Sequence, residues 1–113
     1  GMALGIDTLW AELAITLGVP LIAAIPFEKQ DSVWPQRSKD RYRSLLSKAN
    51  EIVNISGETE YRADYMQKRN IWMVNNCNLL IAVWDGTSGG TYNCVQYAKE
   101  IRKIIYIDPK LFK

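Results

Sequence analysis

The chain contains no histidine. That removes the commonest general base and every Ser–His or Cys–His nucleophile pair. Cysteine is nearly absent too: Cys77 and Cys94 stand alone, with no C-x-x-C spacing. Without histidine they make no zinc site, so no metal is expected. Both lie in apolar or helical surroundings and read as buried free thiols. Reduced thiols and the lack of a signal-peptide pattern fit a cytoplasmic protein. No apolar run approaches the roughly 18 residues of a membrane span, so no membrane partner is expected. Charge of one sign is also scarce. Fourteen Lys and Arg against twelve Asp and Glu leave +2, too small a bias to argue alone for nucleic acid.

What is present is a regular alternation. At 113 residues the chain has room for one domain, residues 1–113, with a modest core. Four runs, PLIAAIP (20–26), EIVNIS (51–56), NLLIAVW (78–84) and KIIYIDP (103–109), are almost continuously apolar. That pattern suits strands of a parallel sheet covered on both faces. Helical periodicity lies between them. Residues 7–17 start at Asp7 as N-cap, turn Leu9, Trp10, Leu13, Ala14 and Leu17 inward, and stop at Gly18. Pro35 suits the first turn of a second helix that buries Tyr42, Leu45, Leu46 and Ala49. A third runs from about Glu60 to Asn76 with Tyr65, Arg69, Trp72 and Met73 on one stripe. A fourth follows Thr91, with Val95, Ala98 and Ile101 inward. Strands alternating with such helices imply βαβ crossovers and a doubly wound α/β sheet.

The stretch WDGTSGGTYN, residues 84–93, sits at the carboxyl end of the third strand. Ligands of open parallel sheets bind at such ends. Glycines there permit tight turns and let backbone N–H groups approach a ligand. A helix N-terminus beginning near Gly90-Thr91 favours an anion, and Thr87 and Ser88 add hydroxyl donors. The stretch matches neither G-x-x-x-x-G-K-[ST] nor G-x-G-x-x-G. GMALGID, residues 1–7, is a second glycine-bearing turn ahead of a helix. Arg69 falls on the buried stripe of the third helix. It is either tied to a protein carboxylate or aimed at a bound anion. Phe27 follows the first strand, where it could stack on a base or cover the core. Trp34, before Pro35, reads as packing.

In combination, GMALGID, PLIAAIPFEKQ followed by WP, QKRNIWMVNNCNLLIAVWDG and GGTYNCVQYA resemble the SLOG superfamily. These are the Rossmann-like domains related to DNA-processing protein A (Smf) and to the Lonely Guy proteins, with the YpsA-like branch of small bacterial and phage proteins nearest. The resemblance spans nearly the whole chain. It implies a Rossmann-like three-layer αβα sandwich with a nucleotide-type pocket at the strand ends. Gly1, Met2, Ala3, Gly5 and Asp7 map to the first turn. Asp85, Gly86, Gly89, Gly90 and Thr91 map to the second, with Thr87 and Ser88 between them and Phe27, Arg69 and Asn70 alongside. Members of the superfamily carry a strand, and a further strand and helix, ahead of the GMALGID-like turn. This chain begins at the turn, where Gly1-Met2 reads as a tag remnant, a truncation or a late start. The expectation is a sheet lacking the family's N-terminal strands and, on that ground, a homo-oligomer.

Lonely Guy enzymes use G-G-x-G-T-x-x-E to cleave a nucleoside monophosphate. Here Cys94 stands three residues after Thr91, in the place of the glutamate. Asp7 and Asp85 remain as the acid–base candidates near the pocket, and no cofactor is required. Three functions follow. The leading one binds or senses a nucleotide or nucleotide-derived small molecule. The second is a nucleoside monophosphate phosphoribohydrolase. The third, less favoured, binds single-stranded DNA as DNA-processing protein A does, using Arg37, Lys39, Arg41, Arg43 and the Lys68-Arg69 pair.

Overall fold

The computed structural model describes residues 1–112. Four helices and four strands alternate as expected: α1 (Ile6–Thr16), β1 (Ile22–Ile25), α2 (Gln36–Lys48), β2 (Glu51–Asn54), α3 (Asp64–Asn75), β3 (Leu79–Val83), α4 (Gly90–Ala98) and β4 (Lys103–Ile107). A 3-10 turn, Pro109–Phe112, closes the described chain. This is a Rossmann-like α/β arrangement of parallel strands packed against helices. The strands fall in two parallel pairs. Ile22 to Ile25 of β1 match Glu51 to Asn54 of β2, and Leu79 to Val83 of β3 match Lys103 to Ile107 of β4. Among the described residues no ladder joins the pairs.

Each pair has its own core. Met2, Ala11, Ala14, Leu21, Ala23, Ile25, Tyr42 and Leu45 form the first, beneath α1 and α2. Val74, Leu80, Cys94 and Ala98 form the second, beneath α3 and α4. Ala11 and Ala14 of α1 share this first core with Ala23 of β1, and Trp34 packs edge to face on Tyr42 at 5.1 Å.

Four local expectations are corrected. The helix α1 begins at Ile6, and its N-cap position belongs to Gly5, not Asp7. Its buried residues are Thr8, Ala11 and Ala14, whereas Leu9, Trp10, Leu13 and Leu17 are exposed. The larger apolar residues of α1 face outward, and Ala11 and Ala14 are the ones that enter the first core. In the last helix Val95 and Ala98 are buried as expected, but Ile101 lies beyond its end and is exposed. The third helix also starts later than the periodicity suggests, at Asp64.

Candidate functional site

Glycines start both helices that matter. Gly5 precedes α1 with φ +90°, and Gly89 precedes α4 with φ +146° and ψ −163°. The second combination belongs almost wholly to glycine. Neither helix has a side-chain cap. Their first intrahelical bonds are donated by Leu9 to the Gly5 carbonyl and by Asn93 to the Gly89 carbonyl. The earlier amides, those of Ile6 to Thr8 and Gly90 to Tyr92, therefore have no partner within the helix. Each terminus also carries the partial positive charge of its helix.

The two termini open on one cleft of about 850 Å³. Gly1, Ala3 and Asp7 line it from the first turn, Gly90 and Thr91 from the second, and Arg69 and Asn70 from α3. A smaller hollow of about 320 Å³ lies against Asp85, Thr87, Ser88 and Gly89, and meets the cleft at Gly90 and Thr91. The sequence thus brings most of its candidate residues together. Met2, Gly5, Phe27 and Gly86 border neither space. Met2 is buried in the first core, and Phe27 packs edge to face on Tyr61 at 5.8 Å and against Tyr65 at 6.4 Å. Of the two roles open to Phe27, the structure places it in the core.

Hydrogen bonds hold the two rims in shape. The Asp7 carboxylate accepts the Ala3 amide at 3.0 Å. Gln30, on the loop after β1, donates to the Met2 carbonyl at 3.0 Å and is itself buried. At the second rim, Asp85 Oδ1 accepts the Thr87 amide at 3.0 Å and the Thr87 hydroxyl at 2.6 Å. The Trp84 indole donates to the Thr87 carbonyl at 2.8 Å. These bonds to Thr87 hold the Asp85 carboxyl below its usual range. It is ionised at neutral pH and poorly suited to donate a proton.

Arg69 is the basic side chain among the described residues that line the cleft. It is 7% exposed, donates through Nε to Asn70 Oδ1 at 3.3 Å, and its Nη1 finds no acceptor. Burial pushes its pKa down, with the Asp7 carboxylate first among the groups that oppose the shift. No carboxylate forms an ion pair with it among the described residues. A buried guanidinium with an unpaired N–H, near helix termini that have no side-chain cap, can attract an anion. Cys94, at the position of the Lonely Guy glutamate, is buried, and burial raises its thiol despite the nearby Arg69. It is a neutral thiol at pH 7.

The sequence reading assigned Trp10 to the core, yet it lines the cleft together with Leu4, Ile6, Met66 and Met73. Nothing in the periodicity separates an apolar residue that faces a cleft from one that faces a core. Pro109, after β4, reaches the smaller hollow. Its place just beyond a strand's carboxyl end was the signal available. The proposed basic face of α2 is partly spent: Arg41 pairs with Glu12, and Arg43 with Asp31 at 3.1 Å. Lys68 pairs with Asp64 at 3.2 Å. No helix of the described residues is long and apolar enough to cross a membrane.

Parallel strands that alternate with helices, two of them led by glycine, define a Rossmann-like α/β domain. More particularly, the chain belongs to the DNA recombination-mediator protein A family, whose profile matches residues 1–113. It is also 40% identical over 89 residues to the uncharacterized SPbeta prophage-derived protein YoqJ of Bacillus subtilis (strain 168). That match covers 70% of this chain and 52% of YoqJ, so the chain spans about half the length of this relative.

Proposed function

We propose that the domain binds the phosphate of a nucleotide unit, and that single-stranded DNA supplies it. The observation that carries the phosphate seat is the unpartnered Nη1 of buried Arg69 beside the amides that open α4. The family description directs the choice of DNA. Titration with oligothymidylate at several salt concentrations tests it. Binding should weaken with salt at a logarithmic slope of about −0.7 for each phosphate neutralised. No binding at low salt removes the DNA reading.

A second reading is a free nucleotide or nucleotide-derived small molecule. It is favoured by Arg69 being the one Lys or Arg side chain among the described residues that line the cleft, and by the ion pairs that occupy Arg41, Arg43 and Lys68. On this reading mononucleotides raise the melting temperature and oligothymidylate binds no better than one nucleotide does. Saturation a hundredfold above Kd should stabilise the protein by about 2.7 kcal/mol.

A further inference from the structure

The smaller hollow, of about 320 Å³, holds one formal charge among the side chains that line it, and that charge is negative. It belongs to Asp85. Every residue from Asp85 to Tyr92 is exposed, so a guest reaches this rim directly from solvent. The Thr87 amide at 3.0 Å and the Thr87 hydroxyl at 2.6 Å both donate to Asp85 Oδ1. These donors are uncharged, so they fix the carboxylate in place without neutralising it. No Lys or Arg forms an ion pair with it among the described residues. Lys110, on the turn after β4, acts on it only through space.

The balance of charge decides what this rim can take. The opening turn of α4 offers a guest about half a unit of positive charge. Asp85 sets a full negative unit against it. An internal phosphodiester carries a single negative charge. A terminal phosphomonoester carries about 1.5 to 2 at pH 7, and a triphosphate carries more. Each added charge meets the same fixed carboxylate. Two unit charges about 8 Å apart in a largely aqueous medium shift an equilibrium roughly threefold.

We propose that Asp85 determines the specificity of the phosphate rim. It admits a phosphate of single charge, the internal diester of a strand, and turns away terminal phosphates and polyphosphates. The inference rests on the phosphate seat of the proposed function and narrows its guest.

Three thymidine guests test it: the 5′-(methyl phosphate) diester, the 5′-monophosphate and the 5′-triphosphate. Base and sugar are the same in all three. Titrations of the full chain are followed by the amide resonances of Gly89 to Tyr92, which register weak binding. The wild-type chain should bind the diester about threefold more tightly than the monophosphate, and at least about tenfold more tightly than the triphosphate. Both gaps should narrow as salt is raised, because screening shortens the reach of the carboxylate. Asp85→Asn keeps an Oδ1 to accept both Thr87 bonds and removes the charge. In that variant the triphosphate should gain at least about fivefold relative to the diester. A purely structural role for Asp85 would move all three guests together, and that outcome overturns the proposal. Equal binding of diester and monophosphate by the wild-type chain overturns it too. So does a triphosphate that overtakes the diester once magnesium is added, since the carboxylate then holds a cation. The two readings fail separately. Triphosphate binding as tight as the diester's leaves the phosphate seat standing and ends this inference. Resonances that no guest moves, even at low salt, end the seat and this inference with it.

Discussion

Asn70 donates to the Gly90 carbonyl across 3.3 Å, and through that bond α3 takes hold of the first residue of α4. The same amide side chain accepts from Arg69 Nε at 3.3 Å. One residue therefore fixes both the guanidinium and the helix start that face the cleft. Asn70→Ala should loosen both. We expect a loss of about 1 kcal/mol in stability, the worth of a typical hydrogen bond, and a larger loss in ligand affinity. Denaturant melts and calorimetric titration of the same samples separate the two effects.

Arg69→Met should cost no stability. The wild-type guanidinium is buried with Nη1 unpaired, so its removal relieves a desolvated charge. Phosphate binding should fall about 10- to 100-fold, as charged hydrogen bonds of about 1.5–3 kcal/mol are lost. A melting temperature that drops by several degrees while binding persists would reverse the assignment.

Gly89→Ala tests backbone conformation alone. A Cβ there meets nothing within 4 Å, so space is not the issue. The φ of +146° is. Holding such a conformation without glycine costs about 1–3 kcal/mol. The start of α4 should shift and phosphate binding should fail even at temperatures where the helix content by circular dichroism is unchanged.

Asp85 supplies a pH dependence. Its carboxyl is held below the ordinary 3.8 by Thr87. A depressed pKa means the carboxylate contributes fully above the ordinary value, and the contribution is lost as pH falls through the depressed one. The Thr87 amide resonance should therefore move only below the ordinary carboxylate range. In Asp85→Asn, where no carboxylate remains, that acid-range movement should disappear.

The two cores should behave as separate packing units. Leu45 belongs to the first and Leu80 to the second. Each Leu→Ala change should cost about 2–5 kcal/mol, and the pair should add within about 0.5 kcal/mol. A larger coupling in a double-mutant cycle would show that the halves pack as one.

The order of elements was legible because near-continuous apolar runs and helical periods differ in length and spacing. The glycine turns were legible for a local reason too: a helix start after Gly5 or Gly89 needs backbone angles that few residues adopt. What the sequence hid was depth. Leu9, Trp10, Leu13 and Leu17 have the spacing of a core stripe, yet α1 turns Thr8, Ala11 and Ala14 inward, and the two alanines meet Ala23 in the first core. Phe27 sits at a strand end, where a base could stack, but Tyr61 and Tyr65 claim its ring. Arg69 was visible as an anomaly on a buried stripe. Which of its two fates applied depended on whether a carboxylate stood within reach, and that is a fact of three dimensions.

The outward stripe of α1 has a practical consequence. Leu9, Trp10, Leu13 and Leu17 leave apolar surface uncovered along one helix, and surface of that kind invites sticking between molecules. Concentrated solutions of this chain should cloud on standing, and Leu13→Glu should keep them clear.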